Sequence, residues 1–147
     1  MTDLLHNIGC GISEAEFHFV AWKLIAAYKR RDVLAFHVPN GEKRDLRTAA
    51  KLQEMGVRPG VSDLVVIVGG RAHFIELKTE KGKLSPDQKV FLADAETAGC
   101  GTHVVRSVEE LARVLNDIGA LRVRLTYPKF RGDLGAQPVT EGAEALG

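Results

Sequence analysis

Cysteine is scarce in this 147-residue chain: only Cys10 and Cys100 occur, with no CxxC spacing between them. That excludes a disulfide framework and a cysteine zinc site, and it fits a reducing cytoplasm. No apolar run approaches the roughly 18 residues that a membrane helix needs. The segment MTDLLHNIGCGISEAE also lacks a basic stretch followed by an apolar one, so neither export nor membrane insertion is expected. Internal repeats and low-complexity stretches are missing as well. An excess of one charge sign is lacking overall, the formal charge being +1, but residues 29–58 and 121–132 each sum to +4. Those two blocks form a phosphate-facing surface if the fold unites them; otherwise they are ordinary solvated charge.

What is present is the make-up of one globular domain, 45% hydrophobic and 27% charged. A chain of this length buries a little under ~70% of its unfolded surface without help from metals or disulfides. A domain is expected over residues 1–125, followed by a loosely held tail over 126–147. Ser13 and Glu16 have capping-box spacing, and Phe17, Val20, Ala21, Leu24 and Tyr28 then recur at helical intervals. Val33–Val38 reads as a short strand, and Arg44–Met55 as a helix stopped by Gly56. Leu64–Val68 and Ala72–Leu77 flank Gly69-Gly70, a two-residue hairpin turn. Ser85-Pro86-Asp87-Gln88 opens a helix to about Ala98, Thr102–Val105 is a strand, and Ser107 and Glu110 form another capping box for a helix to about Ile118. Leu121–Leu125 reads as a last short strand. The order predicts an α/β fold, a mixed sheet covered by helices.

The hairpin carries the chemistry. With Gly69 and Gly70 as its loop, Asp63 falls opposite Glu76, and period-two alternation puts Lys78 on the same face. Opposed carboxylates repel, so the pair points to a divalent cation between them. Mg²⁺ suits the hard oxygen donors Asp63, Glu76 and the main-chain carbonyl of Leu77, with Mn²⁺ able to substitute. Lys78 beside them can orient water or stabilise charge developing on a phosphate. On spacing alone, a charged trio on a solvated sheet face reads the same.

The surrounding segments are His37-Val38-Pro39-Asn40-Gly41, Gly56-Val57-Arg58-Pro59-Gly60-Val61-Ser62-Asp63, Phe74-Ile75-Glu76-Leu77-Lys78 and Leu84-Ser85-Pro86-Asp87-Gln88. In order and spacing they resemble the VRR-NUC family of the PD-(D/E)xK nuclease superfamily, in its small stand-alone phage and bacterial form. The likeness runs from about Ser13 to Leu115. It implies a restriction-endonuclease-like core and Mg²⁺- or Mn²⁺-dependent hydrolysis of DNA phosphodiester bonds on structured or branched DNA, as by a junction resolvase, in a homodimer. It also implies that Asp63 and Glu76 are metal ligands, Lys78 the catalytic lysine and Gln88 a positioning residue. Ser62-Asp63 stands in place of the superfamily's Pro-Asp. The family further places an acidic residue on the first helix. Glu14 projects nearer the apolar face than Glu16, which the capping box already engages, so Glu14 is the choice. Gln88 has a second reading, since a glutamine at that position completes a capping box.

Contacts to DNA are assigned to His37, Asn40, Lys43, Arg44, Arg58, Lys81 and Lys83, with no pattern that identifies base readout. His73 should point away from Glu76. Two other readings remain open here: a DNA-binding subunit that keeps the fold without catalysis, and a protein-interaction module with a solvated hairpin face.

Overall fold

Each helix begins at a side chain that accepts one of its free N–H groups. The computed structural model describes residues 12–39 and 45–126. Helix α1 (Glu14–Tyr28) opens on the capping box of Ser13 and Glu16. Strand β1 (Leu34–His37) follows, then α2 (Leu46–Glu54), β2 (Leu64–Val68), β3 (Arg71–Leu77), α3 (Pro86–Thr97), β4 (Gly101–Val105) and α4 (Val108–Asp117). Helix α2 starts later than its apolar pattern suggests because Asp45 is its cap, accepting the N–H of Thr48 at 2.9 Å. Helix α4 has only half of the expected box. Ser107 accepts from Glu110, but the Glu110 carboxylate takes the N–H of Arg106 instead of that of Ser107.

The sheet runs β1-β2-β3-β4. The first two contacts are antiparallel and β3–β4 is parallel, so the sheet is mixed. Gly69 and Gly70 both have positive φ, 57° and 79°, which is the hairpin geometry whose twist matches its strands. The resulting register pairs Val68 with Arg71 and Leu64 with Ile75. Leu64, Val66, Ile75 and Leu77 bury one face of the hairpin against Phe17, Leu24 and Ile25 of α1 and Leu111 and Leu115 of α4. Each such side chain contributes about 1.5–3 kcal/mol. On the other face Phe74 meets Phe91 of α3 edge-on, with centroids 4.9 Å apart.

Leu121–Leu125 is not a strand of this sheet. Leu121 forms an isolated bridge with Lys29, while Arg30 N–H reaches the Ala120 carbonyl and Arg122 N–H that of Tyr28. The segment satisfies backbone groups at the exit of α1, and the side-chain amide of Asn116 fixes Leu125 through both its N–H and its carbonyl. Helix α2 buries no residue. Its Leu46 and the Met55 that caps its end are exposed, as are Leu34 and Phe36 of β1. The tail beyond residue 126 lies outside the described residues.

Candidate active site

Asp63 immediately precedes β2, so the hairpin register carries it opposite Glu76, the residue after Ile75. Glu76 is only 1% exposed. The Asp63 Oδ2 accepts the N–H of Leu77 at 2.8 Å, which fastens the carboxylate to β3. Gln88 Nε2 donates to Glu76 Oε1 at 2.6 Å, and Lys78 Nζ lies 3.2 Å from that same oxygen. Both donors therefore serve one oxygen. The other, Oε2, is buried with no partner among the described residues. Burial first, and then the charge of Asp63, push the Glu76 carboxyl up to about 7, against the opposing pull of Lys78.

Gln88 makes hydrogen bonds in two directions. Its Oε1 accepts the N–H of Ser85 and completes the capping box, which leaves its NH₂ free to reach Glu76. The cap thus aims the amide. The first turn of α3 is in turn located by Gly60: a Cβ there would come within 2.3 Å of the Asp87 carbonyl carbon and 2.6 Å of the Gln88 nitrogen. Arg58 adds a second tie, since its guanidinium pairs with Asp94 and lies 5.7 Å from the Phe91 ring centroid. The pair joins the Asp63 loop to α3, and with both side chains about half exposed it leaves the Arg58 guanidinium open to solvent.

On the α1 side, Glu14 is exposed in the first turn, whereas Glu16 is held by Ser13, whose hydrogen bonds lower its carboxyl below the ordinary value. One turn beyond Glu14, His18 packs edge-on against His37, ring centroids 4.2 Å apart. Burial, and then His37, lower the His18 imidazole, while Asp63 and Glu14 act in the opposite direction. His37 Nδ1 lies 2.9 Å from the Asp63 carbonyl oxygen. His18 was not a sequence candidate. Its position four residues after Glu14 is the signal that could have found it, because both lie on one helix face.

Lys81 and Lys83 are exposed on the loop that leaves Lys78. Arg106 organises that loop, donating from one nitrogen to the carbonyls of Thr79 at 2.8 Å and Gly82 at 2.7 Å. Nothing in the local sequence marks Arg106 for this role. Asn40, Lys43 and Arg44 lie outside the described residues. His73 does point away from Glu76; its Nδ1 is 3.3 Å from Nε2 of His103 on β4.

Among the described residues no three His, Cys, Asp or Glu side chains gather as a metal cluster. The donors available are two carboxylates and a main-chain carbonyl, all hard oxygens of the kind that Mg²⁺ or Mn²⁺ accepts while retaining several waters. The unpartnered Glu76 Oε2 beside a second carboxylate fits such an ion, which would satisfy it. No helix among the described residues is long and apolar enough to cross a membrane.

The family model of the VRR-NUC domain matches residues 13–109. The fold is similar to a solved structure of a VRR-NUC domain protein at 23% identity and a TM-score of 0.61, over 74% of this chain and 89% of that one. Among curated proteins none matches the chain.

Proposed function

Because the chain belongs to the VRR-NUC family of nuclease-type, DNA-acting domains, we propose that it hydrolyses DNA phosphodiester bonds with the aid of a divalent cation. The observation that carries this reading is the pairing of Asp63 with a buried Glu76 whose Oε2 has no partner, with Lys78 and Gln88 both at Oε1. Asp63, Glu76 and the Leu77 carbonyl would hold Mg²⁺ or Mn²⁺, which supplies Lewis-acid polarisation of the phosphate and a more acidic water.

The side chains of the chain itself do the rest. Gln88 holds one oxygen of Glu76 and leaves the other without a hydrogen-bond partner among the described residues. Lys78 would stabilise with its ammonium the negative charge that grows on a phosphate as water attacks in line. Lys81 and Lys83 supply sequence-independent attraction to the DNA backbone, so binding weakens as salt rises. Structured or branched DNA is the proposed substrate, in a cytoplasmic setting. The exposed apolar side chains of β1 and α2 support a homodimer that presents two sites to two strands.

Cleavage of supercoiled plasmid and of a synthetic four-way junction tests the proposal, with Mg²⁺, Mn²⁺ or EDTA and with Asp63→Ala and Lys78→Ala. Cutting that needs the ion and is lost in both folded variants supports it. Salt-sensitive DNA binding without cutting would replace it with a non-catalytic DNA-binding subunit.

A further inference from the structure

Asp63 is held from three directions, and one of them is not explained by the sheet. Its carboxylate accepts the Leu77 N–H of β3. Its carbonyl accepts the Val38 N–H at 2.9 Å, which continues the β1–β2 ladder by one bond. That bond already satisfies the carbonyl, yet the same oxygen has His37 Nδ1 at 2.9 Å as well. A carbonyl can only accept, so Nδ1 carries the hydrogen.

The ring is not left to swing. His37 lies on the exposed edge strand, and His18 of α1 packs against it at an interplanar angle of 79°. Helix α1, His18, His37 and the main chain of Asp63 thus form one continuous set of contacts reaching the site from the face opposite α3. We infer that His37, braced by His18, is a positioning residue: it fixes the backbone of Asp63 so that the carboxylate stays turned toward Glu76. The inference rests on the reading of Asp63 and Glu76 as cation ligands.

The test is Mn²⁺ binding to the full chain, followed by calorimetry and by the paramagnetic signal of free Mn²⁺, with thermal unfolding of every variant alongside. His37→Phe keeps a ring against His18 but removes the donor; His37→Asn keeps a donor two bonds from Cβ, where Nδ1 stands. Removing an outer hydrogen bond to a ligand weakens metal affinity by about 10-fold or more. The expected result is therefore about a 10-fold loss in His37→Phe, a value near wild type in His37→Asn, and closely similar melting temperatures. In cleavage assays kcat falls in His37→Phe while KM for DNA is unchanged.

Mn²⁺ affinity unaltered in His37→Phe, equal losses in the two variants, or a change confined to KM for DNA would overturn the inference and leave the site reading intact. Failure of the wild type itself to bind Mn²⁺ would overturn both.

Discussion

Strand β3 carries two buried titratable side chains three residues apart, and they are treated in opposite ways. His73, 6% exposed, faces the α1 side, and its ring stacks on His103 at a centroid distance of 5.5 Å. Burial, and then Arg71, lower the His73 imidazole; burial, and then His73, lower that of His103. Both rings are thereby favoured as neutral groups, one donating to the other, and no buried nitrogen of either is left without a partner among the described residues. Glu76, still more buried, is set beside another carboxylate, with both of its donors on one oxygen. The histidine pair leaves no buried nitrogen unmet among the described residues, whereas the carboxylate pair leaves Glu76 Oε2 without a partner there. Burial alone therefore does not mark a candidate site; burial with an unpartnered carboxylate oxygen does.

The largest effect that sharpens this contrast is expected from Glu76→Gln, which should abolish metal-dependent cutting. The same change should stabilise the protein in EDTA above neutral pH. The carboxyl is near 4.5 in ordinary surroundings and about 7 in the fold. Between those values the folded state holds a proton that the unfolded state has released, so stability of the wild type falls as pH rises through that window. Below it the burial costs no ionisation, and above it the full penalty applies. Urea unfolding at several pH values should show this slope in the wild type and a flatter profile in Glu76→Gln.

On the histidine side, Gly101→Ala should disturb stability and spare the site. A Cβ at Gly101 would lie 2.0 Å from His73 Nδ1, so the ring must move. Overpacking of this kind costs about 1–3 kcal/mol. Urea unfolding checks the loss, and Mn²⁺ affinity measured on the folded fraction should match wild type. A loss of affinity would show that the two regions of β3 are coupled.

The smallest effect is expected at Ser62, which is fully buried and whose Oγ has no partner among the described residues. Ser62→Ala should change stability by less than about 0.5 kcal/mol or raise it slightly, since it removes an unmet polar atom. Thermal unfolding decides this, and a clear destabilisation would mean that Oγ has an unrecognised partner.

The hairpin was legible from sequence because its turn sets the register: Gly69-Gly70 pairs Val68 with Arg71, and Asp63 opposite Glu76 follows by counting. Capping motifs gave the starts of α1 and α3 for the same local reason. Contacts made between distant elements were not legible. Arg58 reads as a free cation until α3 brings Asp94 and Phe91 to it. Leu121–Leu125 has strand-forming residues, but its partner is the exit of α1 rather than a sheet edge. His18 and Arg106 owe their roles to neighbours 19 and 24 or more residues away in the chain, His37 for one and the 79–82 loop for the other. Periodicity carries no information about such partners.

Thermal unfolding of wild type and Glu76→Gln, each in EDTA and in Mg²⁺, tests the central claim most directly. A ligand that binds only the folded state raises the melting temperature. The account predicts that Mg²⁺ raises it for wild type and leaves Glu76→Gln unchanged. An equal rise in both proteins, or none in either, would contradict a cation site between Asp63 and Glu76.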